Sequence, residues 1–115
     1  MSSEVLQITA GPGTSEGTRI LRLNGPLNMH TTIEFQKAVR AESSPVLIVD
    51  FSGVPYMDSA GLGAVISAHV AAQKAQRRIA LAGMNGQLRT LTETTRLSKV
   101  LATYTNVAEA ETALR

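Results

Sequence analysis

The sequence contains no cysteine and no tryptophan, and its aromatic side chains are two phenylalanines and two tyrosines. Without thiols there is no disulfide framework, no thiol nucleophile and no thiolate metal site, and the expected compartment is the reducing cytoplasm. With 3% aromatic and 43% hydrophobic residues, the core has to be built from aliphatic side chains. A large charge of one sign is also lacking. Eleven basic and nine acidic residues leave a net charge of +2, which is not the strongly basic balance of a nucleic-acid binder, so no direct nucleic-acid partner is expected. The longest apolar runs, Val46 to Val49 and Gly63 to Ile66, fall far short of the roughly 20 residues that span a bilayer. The amino terminus has neither the basic nor the long apolar segment of a secretory signal, so a soluble chain with no membrane contact is expected. Two histidines in different segments, with no cysteine beside them, give no reason to expect a metal. Nothing resembles a phosphate-cradling Gly-x-x-x-x-Gly-Lys loop, and no cofactor is expected.

What is present fits one domain over residues 1–115. Val5, Leu6 and Ile8 suggest a first strand and Arg19 to Leu23 a second, joined as an antiparallel hairpin by the glycine-rich run from Gly11 to Gly17. Thr31-Thr32-Ile33-Glu34 has the spacing of a capping box, and Phe35, Ala38 and Val39 continue it as an apolar helical stripe. Val46 to Phe51 is apolar on both faces, the pattern of a central strand covered above and below. A second helix is expected to begin at Asp58 or Ser59, with Leu62, Val65, Ile66 and His69 recurring at helical spacing up to about Gln76. Arg78 to Leu81 reads as a short buried strand, Leu88 and Leu91 as a third helix, and Val100 to Tyr104 as a last strand. Asn106 and Glu109 then open a terminal helix. Strands alternating with helices require crossover connections, so the expected fold is α/β, with a mixed sheet of an antiparallel hairpin followed by parallel βαβ units and about four helices.

The chemistry concentrates in Asp58-Ser59-Ala60-Gly61-Leu62-Gly63, after the central strand and at the mouth of a helix, where ligands gather in open α/β sheets. A serine at a helix amino terminus sits beside unpaired N–H groups and the positive end of the helix dipole, a setting that favours phosphate. One phosphoserine, at about −1.5 to −2 charges, would roughly cancel the net charge of the chain. Each interior glycine costs about 1 kcal/mol relative to alanine, so something must approach that first turn closely. Because residues two apart diverge by about 200° around a helix, Gly61 is expected at an interface and Gly63 in a packing seam. A hydrolase reading fails on the flanks, which lack the Gly-x-Ser-x-Gly elbow, and on His69, which is about 15 Å along the same helix. Lys74, Arg77 and Arg78 form a basic cluster suited to the carboxyl end of that helix.

Val46 to Phe51 followed by Tyr56-Met57-Asp58-Ser59-Ala60-Gly61-Leu62-Gly63 resembles the signature of the STAS domain, and in particular of the bacterial anti-sigma factor antagonists. The resemblance runs through the amino-terminal hairpin, the Gly25-Pro26-Leu27-Asn28 loop with His30, and Leu97-Ser98-Lys99-Val100 before the last strand. It implies a single STAS domain that is a binding module and not an enzyme. In that family the serine corresponding to Ser59 accepts phosphate from a partner that is both anti-sigma factor and serine kinase. ATP is bound by that partner, a metal-dependent phosphatase reverses the mark, and the unphosphorylated form releases sigma factor. The implied partner face comprises Asn28, His30, Met57, Asp58, Ser59, Gly61 and Leu62. Asn28 stands where relatives often have an acidic residue, which leaves the kinase pairing open. The alternative the resemblance carries is a STAS scaffold or regulatory subunit in a stress-sensing or membrane-transport complex.

Overall fold

The computed structural model describes residues 5–114. Five strands form one sheet in the order β1(Gln7–Pro12), β2(Thr18–Asn24), β3(Val46–Gly53), β4(Arg78–Ala82), β5(Ala102–Tyr104). β1 and β2 pair antiparallel, and every later neighbour is parallel. The crossovers are α1(Thr32–Ala41), α2(Ser59–Lys74) and α3(Gly86–Thr94), the last followed by a 3₁₀ turn at Leu97–Lys99, and α4(Val107–Leu114) closes the chain. The α/β mixed sheet and its four helices match the alternation of periods in the sequence.

Alternation along the strands divides the core between two faces. Leu21, Leu23, Leu47, Val49 and Phe51 pack with Phe35 and Val39 of α1, Leu62 and Val65 of α2, and Leu88 of α3. Ile20, Val46 and Ile48 look the other way, toward Ala110, Val107 and Leu114 of α4. β3 is buried on both faces because α2 and its neighbours cover one and α4 the other. α4 is held at its start by Asn106, whose Oδ1 accepts from Glu109 N at 2.8 Å, while Glu109 Oε1 accepts from Thr105 N at 3.0 Å. On the outer side, Arg19 Nε donates to Glu42 Oε1 at 2.9 Å and ties β2 to the end of α1. That hydrogen bond, and then the Glu42 charge, hold the Arg19 guanidinium above its ordinary pKa.

Three expectations shift. β1 starts at Gln7, leaving Leu6 as a buried residue ahead of it, and runs into the glycine-rich segment so that Gly11 and Pro12 oppose Ile20 and Arg19. A proline fits there because β1 is an edge strand and needs no N–H on its outer side. β5 starts at Ala102, since Val100 N and Leu101 N both donate to Leu97 O and close the 3₁₀ turn. The capping box at α1 does not form: Thr31 is the N-cap but makes no side-chain cap bond. Its hydroxyl turns into the loop, donating to Pro26 O at 2.9 Å and accepting from Asn28 N at 2.9 Å, and the residue is fully buried. A buried polar pair is satisfied in preference to an exposed helix end that water can serve.

Thr31→Val keeps the shape and removes the hydroxyl, and with it the bonds to Pro26 O and Asn28 N. We expect a loss of about 1–3 kcal/mol in unfolding free energy by urea titration, with Thr31→Ser retaining most of the stability. A valine variant as stable as the parent would show that these loop bonds carry no weight.

Candidate functional site: the amino terminus of α2 and its supporting loop

Asp58 caps α2. Its backbone is extended, its Oδ1 accepts from Gly61 N at 2.8 Å, and its carbonyl receives the first intrahelical bond, from Leu62 N at 2.9 Å. Its second oxygen, Oδ2, accepts from Met29 N at 3.2 Å, so one carboxylate serves both the helix and the loop before α1. The backbone joins the same two segments. Leu27 N donates to Tyr56 O, Asp58 N donates to Leu27 O, and Leu27 pairs with Met57 as an isolated parallel bridge. Asn28 folds inward: its Oδ1 accepts from His30 N at 2.9 Å and its Nδ2 donates to the Tyr56 hydroxyl at 3.0 Å.

Ser59 is the first residue of α2 and is exposed, and its hydroxyl makes no hydrogen bond among the described residues. Its amide and that of Ala60 precede the first intrahelical bond, so they belong to the donors a helix leaves open at its start. His30 is exposed and Asp58 partly so. The other four residues expected on the partner face are buried: Asn28, Met57, Gly61 and Leu62. They lie beneath the surface around Ser59 and are not part of it. Met57 and Leu62 join the main core, and Asn28 braces the loop against Tyr56.

The two glycines exchange the roles expected of them. A Cβ on Gly61 would collide with the backbone carbonyl of Leu27 and lie 2.9 Å from Met57 Cγ. A Cβ on Gly63 would meet nothing within 4 Å. Gly61 is therefore the packing glycine, and Gly63 is the open one, four residues from Ser59 and on its side of the helix. Three apolar side chains left off the expected face share this end of the molecule: Met29, Ile33 and Tyr56, which are 67%, 62% and 41% exposed. Ile33 was detectable, because it falls outside the Phe35, Ala38, Val39 stripe of α1.

Residues 13–110 match the STAS domain. The chain belongs to the STAS domain family. A curated relative, the anti-sigma F factor antagonist of Paenibacillus polymyxa, is 24% identical over 102 residues, 85% of this chain and 87% of that one. Among solved structures, an anti-sigma factor antagonist from Mycobacterium paratuberculosis superposes with a TM-score of 0.83 at 20% identity, over 97% of this chain and 96% of that one. The Bacillus cell fate determinant SpoIIAA in its phosphorylated form gives a TM-score of 0.68 at 20% identity, over 96% of this chain and all of that one. This STAS fold places Ser59 at the rim of a braced loop–helix junction. Among the described residues, no group of three or more His, Asp or Glu comes together as a metal site, and no helix is long and apolar enough to cross a membrane.

The glycine geometry predicts opposite stability effects. Gly61→Ala overpacks a backbone contact and should lower unfolding free energy by about 1–3 kcal/mol. Gly63→Ala, in open space within a helix, should raise it by up to about 1 kcal/mol. Chemical denaturation of the two variants checks this, and equal effects would contradict the assignment.

Proposed function

We propose that this STAS protein is an anti-sigma factor antagonist. In this reading the surface around unphosphorylated Ser59 captures an anti-sigma factor that is also a serine kinase, and sigma factor is released. The partner brings the ATP and phosphorylates Ser59, which ends the capture, and a metal-dependent serine phosphatase restores it. The observation that carries the reading is the state of Ser59: an exposed, unbonded hydroxyl on the first residue of a sixteen-residue helix, with exposed apolar side chains at the same end of the fold. The name of the Paenibacillus relative and the phosphorylated form of SpoIIAA point the same way.

The chemistry assigns separate tasks. Met29, Ile33 and Tyr56 supply apolar area of the kind that anchors protein partners. Gly63 lets a partner approach the helix one turn beyond Ser59. Asp58 is occupied by two amides and holds the turn in place. A phosphate on Ser59 meets the free amides and the helix dipole, which favour it locally. Toward a partner it adds charge and a desolvation cost beside the exposed apolar side chains of Met29, Ile33 and Tyr56. Binding falls and the fold stays.

Two outcomes are expected. Incubation with the cognate kinase and ATP should place phosphate on Ser59, as read by phosphopeptide mapping, and modification of Ser52 or Ser67 instead would move the switch elsewhere. Ser59→Asp should weaken capture of the kinase at least tenfold, about 1.4 kcal/mol, in a calorimetric titration, while the melting temperature stays within a few degrees. Unchanged affinity would remove this face from the interface.

A further inference from the structure

The sheet has two edges, and they differ in what they offer another chain. β5 is three residues long and templates little of a ladder. β1 runs for six residues, and among the described residues no strand pairs with its outer side. The register shows which of its backbone groups face out. Gly13 N donates to Thr18 O at 2.8 Å, one step beyond the Pro12–Arg19 pair, so by alternation the bonded pairs are Gly11–Ile20, Thr9–Arg22 and Gln7–Asn24. Ile8 and Ala10 therefore turn their N–H and C=O groups away from β2, toward solvent. Edge strands are usually guarded against pairing by a charge, a proline or a bulge. No charged residue occurs from Val5 to Ser15, and the β1–β2 register is unbroken. The one proline, Pro12, ends the strand and leaves Ile8 and Ala10 open.

This edge is complementary to itself. When a second copy lies antiparallel with Thr9 opposite Thr9, Ile8 of each copy faces Ala10 of the other, and every outward N–H of those residues meets a carbonyl. Ile8 and Ala10 stand beside Leu23 and Leu21, on the face of the sheet that carries the main core, so the pairing continues that apolar row across the two-fold axis. On the opposite face the two threonines meet at the axis as a close cross-strand pair, which is a favourable one. No charge along the strand faces its like. We propose that this chain forms a two-fold dimer by β1–β1 pairing, which joins two five-stranded sheets into one. A contact of one strand pair is small, so the dimer is weak, with a Kd of about 0.1 mM. It uses none of the residues placed around Ser59, and it stands whether or not Ser59 is a switch.

Sedimentation equilibrium of the whole chain from about 0.01 to 1 mM should show monomer passing into dimer. Over that range the amides of Ile8 and Ala10 should come to exchange with solvent about fourfold more slowly, while Thr9, already paired with Arg22, stays unchanged. Thr9 is exposed, so its charged variants should fold. Thr9→Lys and Thr9→Asp each set like charges against each other at the axis, and each alone should associate at least tenfold more weakly than the parent. An equal mixture of the two should recover association at least as strong as the parent's, because opposite charges then meet. Ser59→Asp should leave the dimer Kd within about twofold. The proposal is overturned if the parent stays monomeric at 1 mM, if Thr9→Lys dimerises undiminished, or if the mixture associates no better than either variant alone. Protection at Ala102 to Tyr104 in place of Ile8 and Ala10, or loss of the dimer in Ser59→Asp, would put the contact elsewhere and overturn it too.

Discussion

The end of the molecule proposed to meet a partner depends on one carboxylate. Asp58 accepts Gly61 N with one oxygen and Met29 N with the other, so the start of α2 and the loop before α1 are held by the same side chain. Hydrogen bonds to an ionised acceptor are worth about 1.5–3 kcal/mol, against about 1 kcal/mol for neutral ones. The contact closes only because Gly61 has no side chain, which lets the helix rest on the Leu27 carbonyl. Thr31 and Asn28 then fix the loop from within, through Pro26 and Tyr56. The support is a set of polar bonds, buried at Thr31, part-buried at Gly61 and Tyr56 and exposed at Met29, and Ser59 is left outside it.

In the proposed function, that division lets one residue carry the switch. Ser59 lies next to the clamp in sequence yet contributes no side-chain bond to it, so a charge added there acts on the surface and not on the packing. The STAS sheet supports this from below. β3 is buried on both faces, and the turn that follows it delivers Met57 to the core before Asp58 emerges at the helix start. A junction built this way is preformed, and the partner of the proposed function would meet it without ordering a loop.

Much of the fold was legible in the sequence because period and burial agree there. Val46 to Phe51 is apolar on both faces and became the middle strand, and Asp58 preceded a helical stripe and became its cap. Side-chain bonds between segments distant in sequence were not legible. The Thr31–Glu34 spacing fits a capping box, but it carries no sign that the Pro26 carbonyl would lie within reach of the Thr31 hydroxyl. The resemblance put Asn28 on a partner face, and it is buried instead, with its amide bonded to the Tyr56 hydroxyl, 28 residues away. The exchange between Gly61 and Gly63 is more instructive. The 200° between them was sound, but which side met the protein was not tied to the rest of the helix. Gly61 stands four residues before Val65, on the buried arc, and Gly63 stands four after Ser59, on the exposed one. The period of the helix alone would have settled it.

Amide hydrogen exchange at Met29 and Gly61, the two donors to Asp58, tests the central claim most directly, comparing the parent chain with Ser59→Asp. If the charge acts only at the surface, both amides keep their protection to within about threefold. If instead either exchanges more than tenfold faster, a loss of about 1.4 kcal/mol at that site, the charge opens the clamp and the division between support and switch is wrong.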